Sequence, residues 1–235
     1  MSKVVKFGGS SLASAEQFKK VGDIIRGDKS RRFVVPSAPG KRFKDDTKVT
    51  DMLYACYDSA EDGRDFREEL SAIEERYQEI IAGLELDLKM DQEFRIIEQN
   101  FQEKAGRDYA ASRGEYLNGI IMAAYLGYEF IDAAEVIRFG ENKEFDAEKT
   151  NEILAERLKH TEKAVIPGFY GAAEGGKIIT FSRGGSDITG SLVARAVQAD
   201  TYENWTDVSG FLIADPRIIP NARSIEVITY RELRE

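Results

Sequence analysis

The 235-residue sequence predicts an α/β fold: a three-layer sandwich in which helices cover both faces of a mainly parallel central sheet, with an inserted helical block. Three observations carry this. Short apolar strands alternate with helical stretches toward both ends of the chain, residues 48–126 keep a helical period throughout, and glycine-rich loops follow directly on strand ends. Strands that are apolar on both faces indicate a doubly covered parallel sheet, whose ligands sit beyond the carboxyl ends of the strands.

The first strand, at 3–7, ends on Lys6 and Phe7 and runs straight into GGSS at 8–11. Lysine is costly to bury without a partner, so Lys6 reads either as a residue aimed at a charged group or as a solubilising lysine on an edge strand. Helix signals run from Ala13 to Ile25, and RFVVP at 32–36 is the second strand. Beyond residue 48, Phe66, Leu70, Ile73, Tyr77, Ile80 and Leu84 step by three or four, as do Met90, Phe94, Ile97 and Phe101. These stripes are core, and the charged stretch beginning EDGRDFREEL is a solvated face. Further strands are expected at 128–132, 135–139, 163–167, 177–181, 200–205 and about 225–229, with a helix over EKTNEILAERLKH at 148–160. GAAEGGKI at 171–178 has nearly the spacing of a P-loop, but Ile178 stands where Ser or Thr belongs and a strand follows, so it is a hairpin turn.

The stretch from Thr180 to Arg217 is the most informative about chemistry. SRGGSD at 182–187 opens directly into a helix, and a short strand ending in Trp205 leads to a loop with Asp207, Asp215 and Arg217. By itself SRGGSD is either a tight turn with a Ser or Asp helix cap or a phosphate or carboxylate site, since glycines let backbone N–H groups approach an anion at a helix N-terminus.

Composition narrows the function classes. A net charge of −9 argues against nucleic acid as the main partner. One histidine, His160, and one cysteine, Cys56, leave no material for a zinc cluster or a Ser/His/Asp machine. His160 is an ordinary helix-end residue and Cys56 a small packed one. No apolar run approaches the ~20 residues of a membrane span, and the lone cysteine fits a reducing compartment, so a cytoplasmic protein without membrane contact is expected.

KFGGSS, SRGGSD and WTDVSGFLIADPR, together with RRFVVPSAPG at 31–40, KVTDML at 48–53 and SRGEYLNG at 112–119, resemble aspartokinase, the ATP-dependent L-aspartate kinase of the amino acid kinase superfamily. Six collinear segments cover nearly the whole chain. The resemblance implies an amino acid kinase-like fold over 1–235, with a substrate-binding part at about 1–165 and a nucleotide-binding part at about 166–235. It implies phosphorylation of the β-carboxylate of aspartate, with ATP and Mg2+ and no direct protein ligand to the metal. This is the first step of lysine, threonine and methionine biosynthesis, and the full-length protein is expected to be a homo-oligomer.

Residue by residue, the resemblance puts Lys6 at the transferring phosphoryl group, with Asp207 orienting Lys6 or helping to position the metal. Gly8, Gly9, Ser10, Ser11, Thr206, Leu212 and Arg217 fall on the ATP side. Ser37, Thr50, Glu115, Arg183 and Asp187 fall on the substrate side: Arg183 for a carboxylate, Glu115 for the α-ammonium, Ser37 and Thr50 as hydroxyl donors. Thr47 competes with Thr50, and Asp187 either caps the following helix or orients cations. Ser182 stands where the family has glycine and Leu212 where many members have tyrosine. The chain ends at YRELRE, where members continue into a further nucleotide-site lysine and paired ACT regulatory domains, so it reads as a truncated catalytic domain. The alternative is a binder of aspartate or nucleotide without turnover.

Overall fold

A computed structural model describes residues 1–182, 184–206, 210, 213, 218, 219 and 221–225. The chain divides into two compact units, Met1–Trp205 and Thr206–Glu235. Within the second, the described backbone makes a turn in which Ala222 N–H donates to Ile219 O at 3.2 Å and Ile213 N–H to Arg223 O at 3.0 Å. All but the first residue of the strand expected at about 225–229 lie outside the described residues.

The first unit is built on a five-stranded parallel sheet. Its strands are β1 (Lys3–Phe7), β2 (Arg31–Pro36), β3 (Glu129–Phe130), β4 (Ala164–Val165) and β7 (Thr201–Trp205), in the order β3-β4-β2-β1-β7. A separate antiparallel hairpin joins β5 (Tyr170–Ala172) to β6 (Ile178–Thr180) across the turn that the sequence marks as a false P-loop. β1 is an interior strand that pairs with β2 and β7, setting Lys6 opposite Val35 and Asn204.

Strand alternation divides the core in two. Val5, Phe7, Val34 and Val165 face one layer, containing α1 (Ala15–Arg26), α2 (Val49–Glu61), α3 (Arg67–Gly83), α4 (Asp91–Gln102) and α5 (Arg107–Leu126). Val4, Phe33, Val35, Ala164 and Ile166 face the other, with α6 (Ala133–Val136), α7 (Ala147–Leu158) and α8 (Gly185–Ala196). The single helical period at 48–126 is thus α2 to α5. α5 is buried on nearly every side, the position of a helix enclosed by other elements. Cys56 packs as a small buried residue on α2, and burial pushes its thiol up to about 12.

The strand expected at 135–139 is a correction. The Asp132 carboxylate accepts the N–H of Ala134 at 2.9 Å and caps a single helical turn, α6, so only Arg138 and Phe139 keep extended pairing, as isolated bridges to Ala172 and Phe145. Among the described residues no helix is long and apolar enough to cross a membrane.

One buried ion pair ties the inserted helices to the sheet's loops. Arg76 of α3, 2% exposed, pairs with Asp46 at 2.9 Å and donates to the carbonyls of Gly40 at 2.7 Å and Ala13 at 3.4 Å. Asp46 also takes Arg42, whose hydrogen bonds hold its carboxyl well below the usual carboxylate range. Asp46→Ala therefore leaves Arg76 buried without a counter-charge and is expected to cost about 3–5 kcal/mol. Arg76→Met costs less, because Asp46 keeps Arg42. Urea unfolding of both variants tests this, and the reverse order contradicts it.

Candidate functional site

The site gathers at the carboxyl ends of β1, β2 and β4. After β1, Gly8 leads into a 3₁₀ turn, Gly9–Leu12, whose first N–H groups have no side-chain cap. Gly8 N–H itself donates to Trp205 O at 3.2 Å, and Ser11 N–H to Gly8 O at 3.0 Å. Gly40, after β2, donates its N–H to Gly9 O at 2.8 Å. A Cβ at Gly9 would lie 2.7 Å from Ala38 O, and one at Gly40 would lie 2.7 Å from the Gly9 carbonyl carbon. Only glycine lets these two loops touch.

Lys6 is buried to 8% exposure near the end of β1. Its Nζ lies 2.9 Å from Asp187 Oδ1, which also accepts Asn204 Nδ2 at 2.9 Å. The neighbouring strand and α8 thus supply the partner that a buried lysine needs. Between the two roles open for Asp187, its carboxylate is turned to Lys6 and Asn204, and no side-chain cap closes the start of α8. That start is shaped by Gly184, at φ 58°, and by Gly185, where a Cβ would come within 2.8 Å of Phe169 Cα. Phe169 itself sits at φ 82°, unusual for a bulky residue, with its N–H held by Thr189 Oγ1 at 3.2 Å.

A second cluster lies under the β2 loop. Glu115, on the buried α5, accepts from the N–H of Ala38, yet its Oε2 is buried without a partner among the described residues. Burial raises its pKa from 4.5 to about 8, so the ligand-free protein holds it protonated at neutral pH. Asn118 Nδ2 donates to Ser37 O at 2.6 Å, and Tyr77 Oη to Gly114 O at 2.8 Å. Thr50, in the first turn of α2, stands beside this turn of α5: its Oγ1 would be 3.7 Å from a Cβ on Gly114, whereas Thr47 is exposed.

Of the expected site residues, Lys6, Gly8, Gly9, Ser10 and Ser11 meet around one loop with Asp187, and Ser37, Thr50 and Glu115 meet around the next. Thr206 begins the second unit. Arg183, Asp207, Leu212 and Arg217 lie outside the described residues. Arg76, Asp46, Asn118 and Phe169 enter only with the structure. Arg76 had a readable signal, a charge set among the apolar positions Ile73, Tyr77 and Ile80, whereas nothing in the sequence marks the positive φ of Phe169.

The amino acid kinase family model matches residues 1–235. Aspartokinase 3 of Bacillus subtilis is 39% identical over 99% of the chain and 54% of its own length. Lysine-sensitive aspartokinase 3 of Escherichia coli is 30% identical over 100% of the chain and 56% of its length. Among solved structures, the aspartate kinase of Clostridium acetobutylicum superposes with a TM-score of 0.95 at 52% identity, covering 99% of the chain and 54% of that structure. E. coli aspartokinase III in complex with aspartate and ADP gives 0.79 at 28%, covering 96% and 53%. The chain spans about half the length of the curated relatives it matches.

The loop contact gives a paired test. Gly40→Ala forces a Cβ onto the Gly9 backbone and is expected to cost about 1–3 kcal/mol, seen as a fall of several degrees in Tm. At Gly8, with φ −71° and its nearest Cβ contacts at 3.8 Å, alanine should leave Tm unchanged. Equal shifts in the two variants would count against the interlock.

Proposed function

This chain belongs to the amino acid kinase family, and from that premise we propose that it forms the catalytic region of an aspartate kinase, which transfers the γ-phosphoryl group of ATP to the β-carboxylate of L-aspartate. The products are 4-phospho-L-aspartate and ADP, and the reaction opens lysine, threonine and methionine biosynthesis in the cytoplasm. The observation that carries the reading is Glu115, an acid buried beside the β2 loop with one oxygen left unpartnered, across the loop contact from a buried lysine. An amino acid substrate brings the ammonium that such an acid lacks, while carbamate or a nucleoside monophosphate brings none.

The chemistry asks for positioning and charge neutralisation more than covalent work. The β-carboxylate is already ionised at neutral pH and needs no general base. Lys6 stabilises the charge on the transferring phosphoryl group, with Asp187, itself held by Asn204, keeping its ammonium in place, and Gly9, Ser10 and Ser11 provide donors for the phosphates. Magnesium bound with the phosphates would neutralise part of their charge, and the carboxylate and hydroxyl oxygens of Asp187, Ser10 and Ser11 would suit the water shell of such a hard cation without a direct bond to it. Ser37 and Thr50 bond substrate oxygens, Arg183 grips a substrate carboxylate, and Thr206, Asp207, Leu212 and Arg217 line the nucleotide. We assign the substrate to about 1–165 and the nucleotide to about 166–235, in a protein that assembles as a homo-oligomer.

The direct experiment is coupled ADP release by the protein carrying this chain, offered aspartate, glutamate, acetylglutamate and carbamate. Aspartate is the expected acceptor, and preference for another sinks the reading; calorimetric aspartate binding without turnover favours a binder. Lys6→Ala should mainly lower kcat and Arg183→Ala mainly raise KM for aspartate, and a reversal would exchange their roles.

Glu115 adds a pH signature. Its folded pKa, about 8, exceeds the ordinary 4.5, so the folded protein binds one more proton than the unfolded chain between those values, and ligand-free stability falls as pH rises from 4.5 to 8. Glu115→Gln should flatten that fall. Binding an ammonium requires the carboxylate, so aspartate affinity is expected to rise with pH toward 8, and binding at pH 7 should release a proton. Calorimetry in two buffers of different ionisation enthalpy measures the release; none would exclude the protonated Glu115.

A further inference from the structure

Helix α5 grips the carboxyl end of β2 through one peptide group. Asn118 Nδ2 donates to the Ser37 carbonyl at 2.6 Å, and Glu115 accepts from the N–H of Ala38, the other end of that same peptide. The two side chains are three residues apart on the helix and so lie on one face, roughly 5–6 Å apart at Cβ. Each spends one polar atom on the peptide and has one left over. Glu115 Oε2 and Asn118 Oδ1 are both buried without a hydrogen-bond partner among the described residues, in side chains of which Asn118 is 0% and Glu115 6% exposed.

Buried acceptors without donors are rare and costly, and a pair of them on one helix face calls for a group with several donors. The Ser37 carbonyl fixes the amide's orientation, because only the NH2 end can donate to it, so Oδ1 is the end left without a partner. A primary ammonium offers three N–H donors at a single nitrogen. An amide at residue 118 suits such a ligand, because a second carboxylate this close to Glu115 would repel it, whereas a neutral amide adds an acceptor without adding charge.

We propose that Asn118 is a specificity-determining residue whose Oδ1 accepts, beside Glu115, from the α-ammonium of the substrate, and so separates an amino acid from a diacid lacking the amine. The proposal rests on the reading of the site as an amino-acid site, and the two fail separately. The measurement is the ratio of Kd for succinate to Kd for aspartate, by calorimetry on the protein carrying this chain; succinate keeps both carboxylates and lacks the amine.

In the unsubstituted protein aspartate should bind more tightly. Equal binding of the two ligands overturns the amino-acid reading itself before any variant is made. In Asn118→Leu the ratio is expected to fall about tenfold, the scale of one hydrogen bond to a charged group, through weaker aspartate binding with succinate nearly unchanged. If both ligands weaken by the same factor, or neither does, Asn118 acts only through the Ser37 carbonyl or on a bound water, and the proposal is overturned. Should circular dichroism show Asn118→Leu unfolded, the smaller Asn118→Ser takes its place: a ratio reduced at least threefold upholds the proposal and an unchanged ratio overturns it.

Discussion

The contact between Gly9 and Gly40 is the constraint on which the site depends. The two glycines put the loop after β1 against the loop after β2, backbone to backbone, with a hydrogen bond of 2.8 Å between them. Neither loop can then move without the other. The first presents the N–H groups and hydroxyls beside Lys6, the second the Ser37–Ala38 peptide that Glu115 and Asn118 hold. The proposed reaction, which joins two ligands, would gain from such coupling, since a misplacement of about 1 Å between reacting groups is enough to cost a hundredfold in rate. Arg76 extends the coupling outward by placing the positive end of a buried ion pair on the Gly40 and Ala13 carbonyls. The inserted helix α3 thus supports the site without contributing an expected ligand to it.

A second close approach places the other half. Gly185 abuts Phe169, and Thr189 of α8 holds the Phe169 N–H, so the start of α8 is locked to the loop after β4. That lock sets Asp187 within reach of Lys6. With Phe169 at φ 82°, the loop carries strain of order 1–3 kcal/mol that the surrounding contacts must sustain. Strain of this kind persists where the position of a backbone matters more than its comfort.

Much of this was legible in the sequence because the signals are local. Alternating faces in β1 and β2, apolar stripes along α3 and α4, and glycine at the loop contacts all follow from short-range sterics and periodicity. The EVIRF segment misled because its β-branched residues suit a strand, while the decisive feature was the Asp132 cap just upstream. Arg76 shows a different gap. Its place in an apolar stripe is visible, but its partners, Asp46, Gly40 and Ala13, are 30 to 63 residues away, and only the tertiary fold names them. Asn118 stands in a segment whose one acid, Glu115, carries the readable signal, and its own orphaned oxygen becomes visible only once the Ser37 carbonyl takes the amide's other end.

The site carries two buried ionisable groups, Lys6 and Glu115, and accommodates them in different ways. Lys6 is paired with Asp187 at 2.9 Å. Glu115 has no cation beside it among the described residues, and burial raises its pKa to about 8. In the proposed reaction Lys6 would attend to a phosphoryl group and Glu115 to an ammonium, and neither arrangement suits that bound state. On that proposal substrate binding is an exchange: the ammonium would displace a proton, and the phosphoryl group would compete with a carboxylate for the lysine. On the same proposal, the charges that catalysis would require appear together only when both ligands bring the opposite ones.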